Sequence, residues 1–178
     1  MLDLARASSC SEDVRWINGG VEKLAGFEAD LVIMTGHVAL FFLDDSAWQT
    51  AVTNVSRILR PGGRFVFESR VPSTDPFSDW PTDASRQHLH DPNVGDIEWW
   101  YEPLEMCESN AKYENHYLFS NSGEELVSHN ELRFRTEGEI REALTRAGLS
   151  IRSTFGDWDS SPISESSPEM IFVAELRR

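Results

Sequence analysis

Positive charge is scarce in this sequence. Lys and Arg number 16 against 30 Asp and Glu, so the formal net charge at pH 7 is −14. A surface this acidic repels phosphate backbones and anionic lipid headgroups. General nucleic-acid binding and electrostatic attachment to a membrane are therefore not expected. Cysteine is scarcer still, with only Cys10 and Cys107. Two cysteines without C-x-x-C spacing cannot build the disulfide framework of a small secreted domain, and the chain reads as cytoplasmic. No apolar run approaches the roughly 20 residues of a membrane span. The opening stretch, Met1 to Cys10, lacks the basic start and long apolar core of a signal peptide. It looks instead like the inside of a helix.

What is present suits one domain, since 178 residues fall within the roughly 100–200 of a typical unit. A chain of this size buries roughly 70% of its unfolded surface and needs no metal or disulfide staple. Met1 to Ala7 reads as a short helix and Val14 to Ile17 as a short strand, with a turn at Gly19-Gly20. Leu31 to Met34 is a continuous apolar run, the pattern of a parallel strand buried on both faces. A helix follows, with Asp44, Asp45 and Ser46 offering N-cap oxygens. Trp48, Val52, Val55 and Leu59 form its apolar stripe, widened by Ala51 and Ile58. Pro61-Gly62-Gly63 stops the helix, and Arg64 to Arg70 reads as a second strand. Strand, helix, strand in this order predicts a parallel crossover.

Residues 71–135 differ in composition. They hold 13 acidic and 4 basic residues, nine of the 19 aromatics and four of the five histidines. Val71 to Gly95 reads as a Pro/Asp/Ser-rich loop. Three strand-like stretches follow near Ile97–Glu102, Lys112–Ser120 and Glu125–Phe134, joined by turn residues. Alternation puts Ile97, Trp99 and Tyr101 on one face and Glu98, Trp100 and Glu102 on the other. The expectation is an antiparallel meander with one aromatic side, inserted into an α/β domain. Thr136 to Glu139 then fits a capping box, Ile140, Ala143, Leu144 and Ala147 give a helical stripe, and Gly148 ends it. Leu149 to Phe155 and Met170 to Leu176 read as two closing strands.

This order of elements resembles the second part of a class I S-adenosylmethionine-dependent methyltransferase of the small-molecule branch. The resemblance rests on seven stretches. Met1-Leu2-Asp3-Leu4-Ala5-Arg6 looks like the helix after the family's second strand. Trp16 to Val21 looks like its third strand and adenine-side turn. Asp30 to His37 looks like its fourth strand and the loop after it. Leu59-Arg60-Pro61-Gly62-Gly63-Arg64-Phe65 looks like the approach to its fifth strand. Leu132 to Thr136 with Ala147-Gly148-Leu149, and Gly156-Asp157-Trp158-Asp159, look like its closing helix and hairpin. The resemblance implies an α/β, Rossmann-like methyltransferase sheet over residues 1–178, N-terminally truncated, with residues 71–135 as an inserted loop and antiparallel β-meander; a substrate lid is one reading of that insert, a small core of its own the other. The family's G-x-G-x-G turn and the acidic residue ending its second strand have no counterpart here.

By the same resemblance, S-adenosylmethionine is the cofactor and Gly19, Gly20, Val21, Thr35, Gly36 and His37 are its candidate contacts. His37 is the candidate general base, because an imidazole titrates near working pH; the plain alternative is a histidine that orders its loop. Arg70 and Trp80 flank the end of the fifth strand and are candidate contacts for a small-molecule acceptor. Aromatic faces beside carboxylates suit an amine or another cation, although most of the aromatics read as the meander's own core. No metal site is expected, because His88-Leu89-His90-Asp91 lacks the further ligands of a closed site. Three functions stay open: methyl transfer that is weak or absent in this chain, a non-catalytic binding or assembly protein, or an enzyme completed by a partner chain. Without the family's first two strands, the Leu31–Met34 strand has an open apolar edge. A homodimer across that edge, or a rearranged pairing with Val14–Ile17, is the expectation.

Overall fold

Heptad-like spacing of apolar residues around Trp48 and two apolar β segments flanking it build the first layer. The computed structural model describes residues 2–7, 13–72, 85–107 and 109–176. The elements in chain order are α1 (Leu2–Arg6), β1 (Ala29–Met34), α2 (Asp45–Ile58), β2 (Leu59–Ser69), β3 (Gln87–Asp91) and β4 (Gly95–Cys107). They continue with β5 (Asn110–Phe119), β6 (Glu124–Arg133), α3 (Glu137–Arg146), β7 (Leu149–Phe155) and β8 (Met170–Leu176). Two 3₁₀ turns, Val21–Leu24 and Val38–Phe41, precede β1 and α2. No described helix is long and apolar enough to cross a membrane.

The strands form two four-stranded sheets. The first has the order β1-β2-β8-β7, with β1 parallel to β2 and β8 antiparallel to both its neighbours. The parallel crossover through α2 is the one that the apolar periodicity predicts. Its core is aromatic: Phe67 stacks between Phe65 and Phe172, with ring centroids 4.6 Å and 5.2 Å away, and Trp48 of α2 closes from 5.5 Å. Ile140 and Leu144 of α3 are buried in the same cluster. Each such side chain contributes roughly 1.5–3 kcal/mol through burial. The second sheet is an antiparallel meander, β3-β4-β5-β6. Ala111, Tyr113, Leu132 and Phe134 pack there with Leu40, which tacks the meander to the β1–α2 connection.

Five expectations change. Val14–Ile17 carries no strand: no described strand offers it a ladder, and the rearranged pairing with β1 does not form. β1, an edge strand, is buried on one face only: Val32 and Met34 pack on the core, whereas the opposite face is uncovered, with Leu31 52% and Ile33 60% exposed. The segment read as a loop up to Gly95 contains β3, closed onto β4 by the Asp91 carboxylate, which accepts from the Asn93 and Val94 amides at 2.8 and 3.1 Å. Asp44 is the N-cap of α2, yet its side chain makes no capping bond. The helix ends at Ile58, and Pro61-Gly62-Gly63 lies inside β2. There Gly63 is required by close approach: a Cβ would meet the Arg60 and Ala29 carbonyl oxygens at 2.9 and 3.0 Å. The Thr136–Glu139 capping box forms as expected, with reciprocal bonds of 3.3 and 2.7 Å.

Candidate functional site

The carboxyl ends of parallel strands, where open α/β sheets bind ligands, fall here at Met34 and Ser69. Beyond β1 the backbone turns left-handed twice, at Gly36 (φ 78°) and His37 (φ 58°, ψ 25°). For a histidine that conformation costs about 1–3 kcal/mol and persists only where neighbours hold it. Two carboxylates do so. The His37 amide donates to Glu68 Oε1 at 2.6 Å, and its Nε2 lies 2.9 and 3.1 Å from the two oxygens of Glu169. A carboxylate only accepts, so Nε2 carries the proton and Nδ1 is the nitrogen left to take one. Glu68 is buried on β2, and its Oε2 has no hydrogen-bond partner.

Gly36, His37, Leu40, Phe41 and Arg70, from the ends of β1 and β2, and Tyr101, Tyr113 and Leu132 of the meander line a cavity of about 200 Å³. The cavity thus lies between the first sheet's strand ends and one face of the meander. Trp99 meets Tyr101 edge-on at 5.2 Å, and Tyr101 meets Tyr113 at 5.9 Å. Burial, followed by the neighbouring tyrosines, pushes both phenols above their ordinary pKa. They therefore stay neutral and able to donate a proton in a hydrogen bond.

The structure brings together Gly36, His37 and Arg70 of the residues singled out in the sequence. Thr35 is exposed just before them. Trp80 lies outside the described residues. Gly19 and Gly20 sit elsewhere, leading into the Val21–Leu24 turn, and Val21 lines a separate groove of about 370 Å³ against α2. The Gly20 amide, a candidate adenine contact, donates to Glu22 Oε1 at 3.0 Å. The cavity beyond β1 is thus furnished with polar groups, whereas the Gly20 amide is already engaged. Glu68 and Glu169 were missed. Glu68 left a faint signal, an acid inside an otherwise apolar and aromatic strand. Glu169 left none, being 132 residues from its partner.

Residues 1–67 match a family model described as a methyltransferase domain. A S-adenosylmethionine-dependent methyltransferase from Clostridium acetobutylicum superposes with a TM-score of 0.74 at 13% identity, over 92% of this chain and 65% of that one. The chain has the class I S-adenosylmethionine-dependent methyltransferase fold. Two further methyltransferases share it. The sugar N-methyltransferase KedS8 from Streptoalloteichus gives 0.68 at 18% identity, over 86% of this chain and 58% of that one. The amino pentose methyltransferase CalS10 from Micromonospora echinaspora, solved with S-adenosylmethionine bound, gives 0.65 at 19% identity, over 98% and 69%. The chain spans less than two thirds of the Clostridium methyltransferase and of KedS8. No curated protein matches its sequence.

Proposed function

We propose that this chain carries the acceptor side of a methyltransferase for a small molecule that presents an amine or hydroxyl. The observation that carries the reading is the cavity that joins the His37 loop to the Tyr101–Tyr113 wall, small enough to exclude bulky acceptors. S-adenosylmethionine, when bound, supplies the methyl group from its sulfonium. Thr35, Gly36 and His37 flank its methionyl end, and Gly19, Gly20 and Val21 its adenine end. His37, oriented through Nε2 by Glu169, takes the acceptor's proton at Nδ1. Arg70 and the two phenols position the acceptor, and residues 71–135 act as a lid that keeps water out. An amine as the acceptor group draws support from KedS8, a sugar N-methyltransferase, and CalS10, an amino pentose methyltransferase. The low count of cysteines supports a cytoplasmic location.

The engaged Gly20 amide supports weak cofactor binding by these 178 residues. The open ladder edge of β1, beside an uncovered face carrying the exposed Leu31 and Ile33, supports a second reading, completion of the site by another copy of the chain across that edge. Both readings are tested by transfer of radiolabelled methyl groups to a panel of small amines and alcohols, with light scattering on the same samples. The expected result is slow transfer, lost in His37→Ala, by a dimer that Ile33→Lys dissociates. Equal transfer by His37→Ala overturns the base assignment. No transfer by a stable dimer favours a non-catalytic binding protein.

A further inference from the structure

The opposite face of the meander carries a second cluster that the acceptor site does not use. His116 of β5 stands across from Trp100 of β4, and their rings stack with centroids 4.8 Å apart at 8°. The stack leaves His116 only 8% exposed. Its Nδ1 lies 2.7 Å from Glu125 Oε1 and, facing a carboxylate, carries the proton. In the neutral imidazole that leaves the lone pair on Nε2, which is buried and makes no hydrogen bond. Nε2 nevertheless faces two carboxylate oxygens, Glu114 Oε2 at 3.2 Å and Glu102 Oε2 at 3.4 Å. Glu102 and Glu114 are direct cross-strand partners. Three electron-rich atoms converge, all within 4.8 Å of one another. The repulsion among these atoms is relieved either by a proton on Nε2 or by a metal ion that all three coordinate.

We propose that Glu102, Glu114 and His116 bind one divalent transition-metal ion of the zinc class. Zinc–nitrogen and zinc–oxygen bonds of about 2.0–2.2 Å place neighbouring ligands of a tetrahedron about 3.3–3.6 Å apart. The two measured separations are 3.2 and 3.4 Å. Two carboxylates and a neutral imidazole also balance a charge of +2. The supporting contacts have the form that orients metal ligands: Glu125 fixes the His116 tautomer, and the second oxygen of Glu114 accepts from His129 Nδ1 at 2.7 Å. The half-exposed Glu102 leaves the fourth position to water. The ion ties β4 to β5 directly behind Tyr101 and Tyr113, and so stiffens the wall of the acceptor cavity.

The test is calorimetric titration of the chelator-treated chain with Zn²⁺, and Co²⁺ absorption as a report on ligand type. The expected result is one equivalent bound with a Kd on the order of micromolar. Glu102→Gln, a change at an exposed position, weakens it at least about tenfold. Cobalt shows tetrahedral ligand-field bands without thiolate charge transfer. Three results overturn the proposal: an unchanged affinity in Glu102→Gln, a thiolate band from the exposed Cys107, or no binding by the wild-type chain. Glu114→Gln serves as the second ligand variant if Glu102→Gln alters the fold.

Discussion

Arg135 follows the last strand of the meander and reaches into the first layer, so it tests how the two sheets are held together. Its Nη2 donates to the Phe42 carbonyl at 2.7 Å and to Asp45 Oδ1 at 3.1 Å, and its Nε donates to the same Asp45 oxygen at 3.3 Å. The guanidinium lies 5.5 Å from the Trp48 ring centroid. Its side chain is 3% exposed, whereas that of Asp45 is 72% exposed. Burial pulls the guanidinium pKa down, and Asp45 offsets part of that. In Arg135→Met the apolar volume is largely kept. Asp45 turns to water, so the pair itself contributes only about 0–1 kcal/mol. The Phe42 carbonyl loses its charged donor, at a cost of about 1–3 kcal/mol. Relief of the buried cation's desolvation offsets part of this. The expected total is about 1–3 kcal/mol, read in urea as a lower midpoint at unchanged m-value. Asp45→Asn is expected to cost less than about 1 kcal/mol. A neutral Arg135→Met, or an Asp45→Asn as damaging as it, refutes the reasoning.

Phe67→Ala removes the ring held between Phe65 and Phe172 and should cost about 3–5 kcal/mol, seen as a large drop in Tm. Thr136→Ala should cost about 1 kcal/mol by opening the capping box at α3. Burial pushes the Glu139 carboxyl up, but hydrogen bonds from the Thr136 amide and hydroxyl more than reverse this, leaving it below the usual value. Its stabilising contribution is therefore present above about pH 4.3 and lost as pH falls through the lower folded pKa. Thr136→Ala should flatten that acid limb in pH-dependent melts. Tyr101 and Tyr113 have folded pKa values raised by burial, so their contribution is present below about pH 10 and lost as pH rises through the folded values. Phenylalanine at both positions should flatten the alkaline limb in pH-dependent melts.

Local pattern carries much of this fold. The β1–α2–β2 crossover is written in apolar spacing, the α3 cap in Thr136 and Glu139, and the meander faces in the alternation from Ile97 to Glu102. What the sequence hides is non-local. β3 is polar, with Gln87, His88 and His90, because it has a neighbour on one side only and its exposed residues need no apolar stripe. Val14–Ile17 has strand-like residues but no described partner, and β propensity alone forms no ladder. At the site, Thr35-Gly36-His37 and Arg70 are legible as residues at strand ends. The carboxylates that fix His37 are not, since Glu68 comes from the next strand and Glu169 from the loop before β8. The two tyrosines of the cavity are visible as aromatics, but their place beside His37 comes from tertiary packing, such as that of Leu40 against the meander.

The central claim is that these residues furnish the acceptor side well and the cofactor side poorly. Calorimetric titration of S-adenosylmethionine into the 178-residue chain tests it most directly. The account predicts a Kd weaker than about 100 µM, equivalent to less than about 5.5 kcal/mol of binding. A micromolar Kd would contradict it, by showing that the adenine side is complete despite the Gly20 amide held by Glu22.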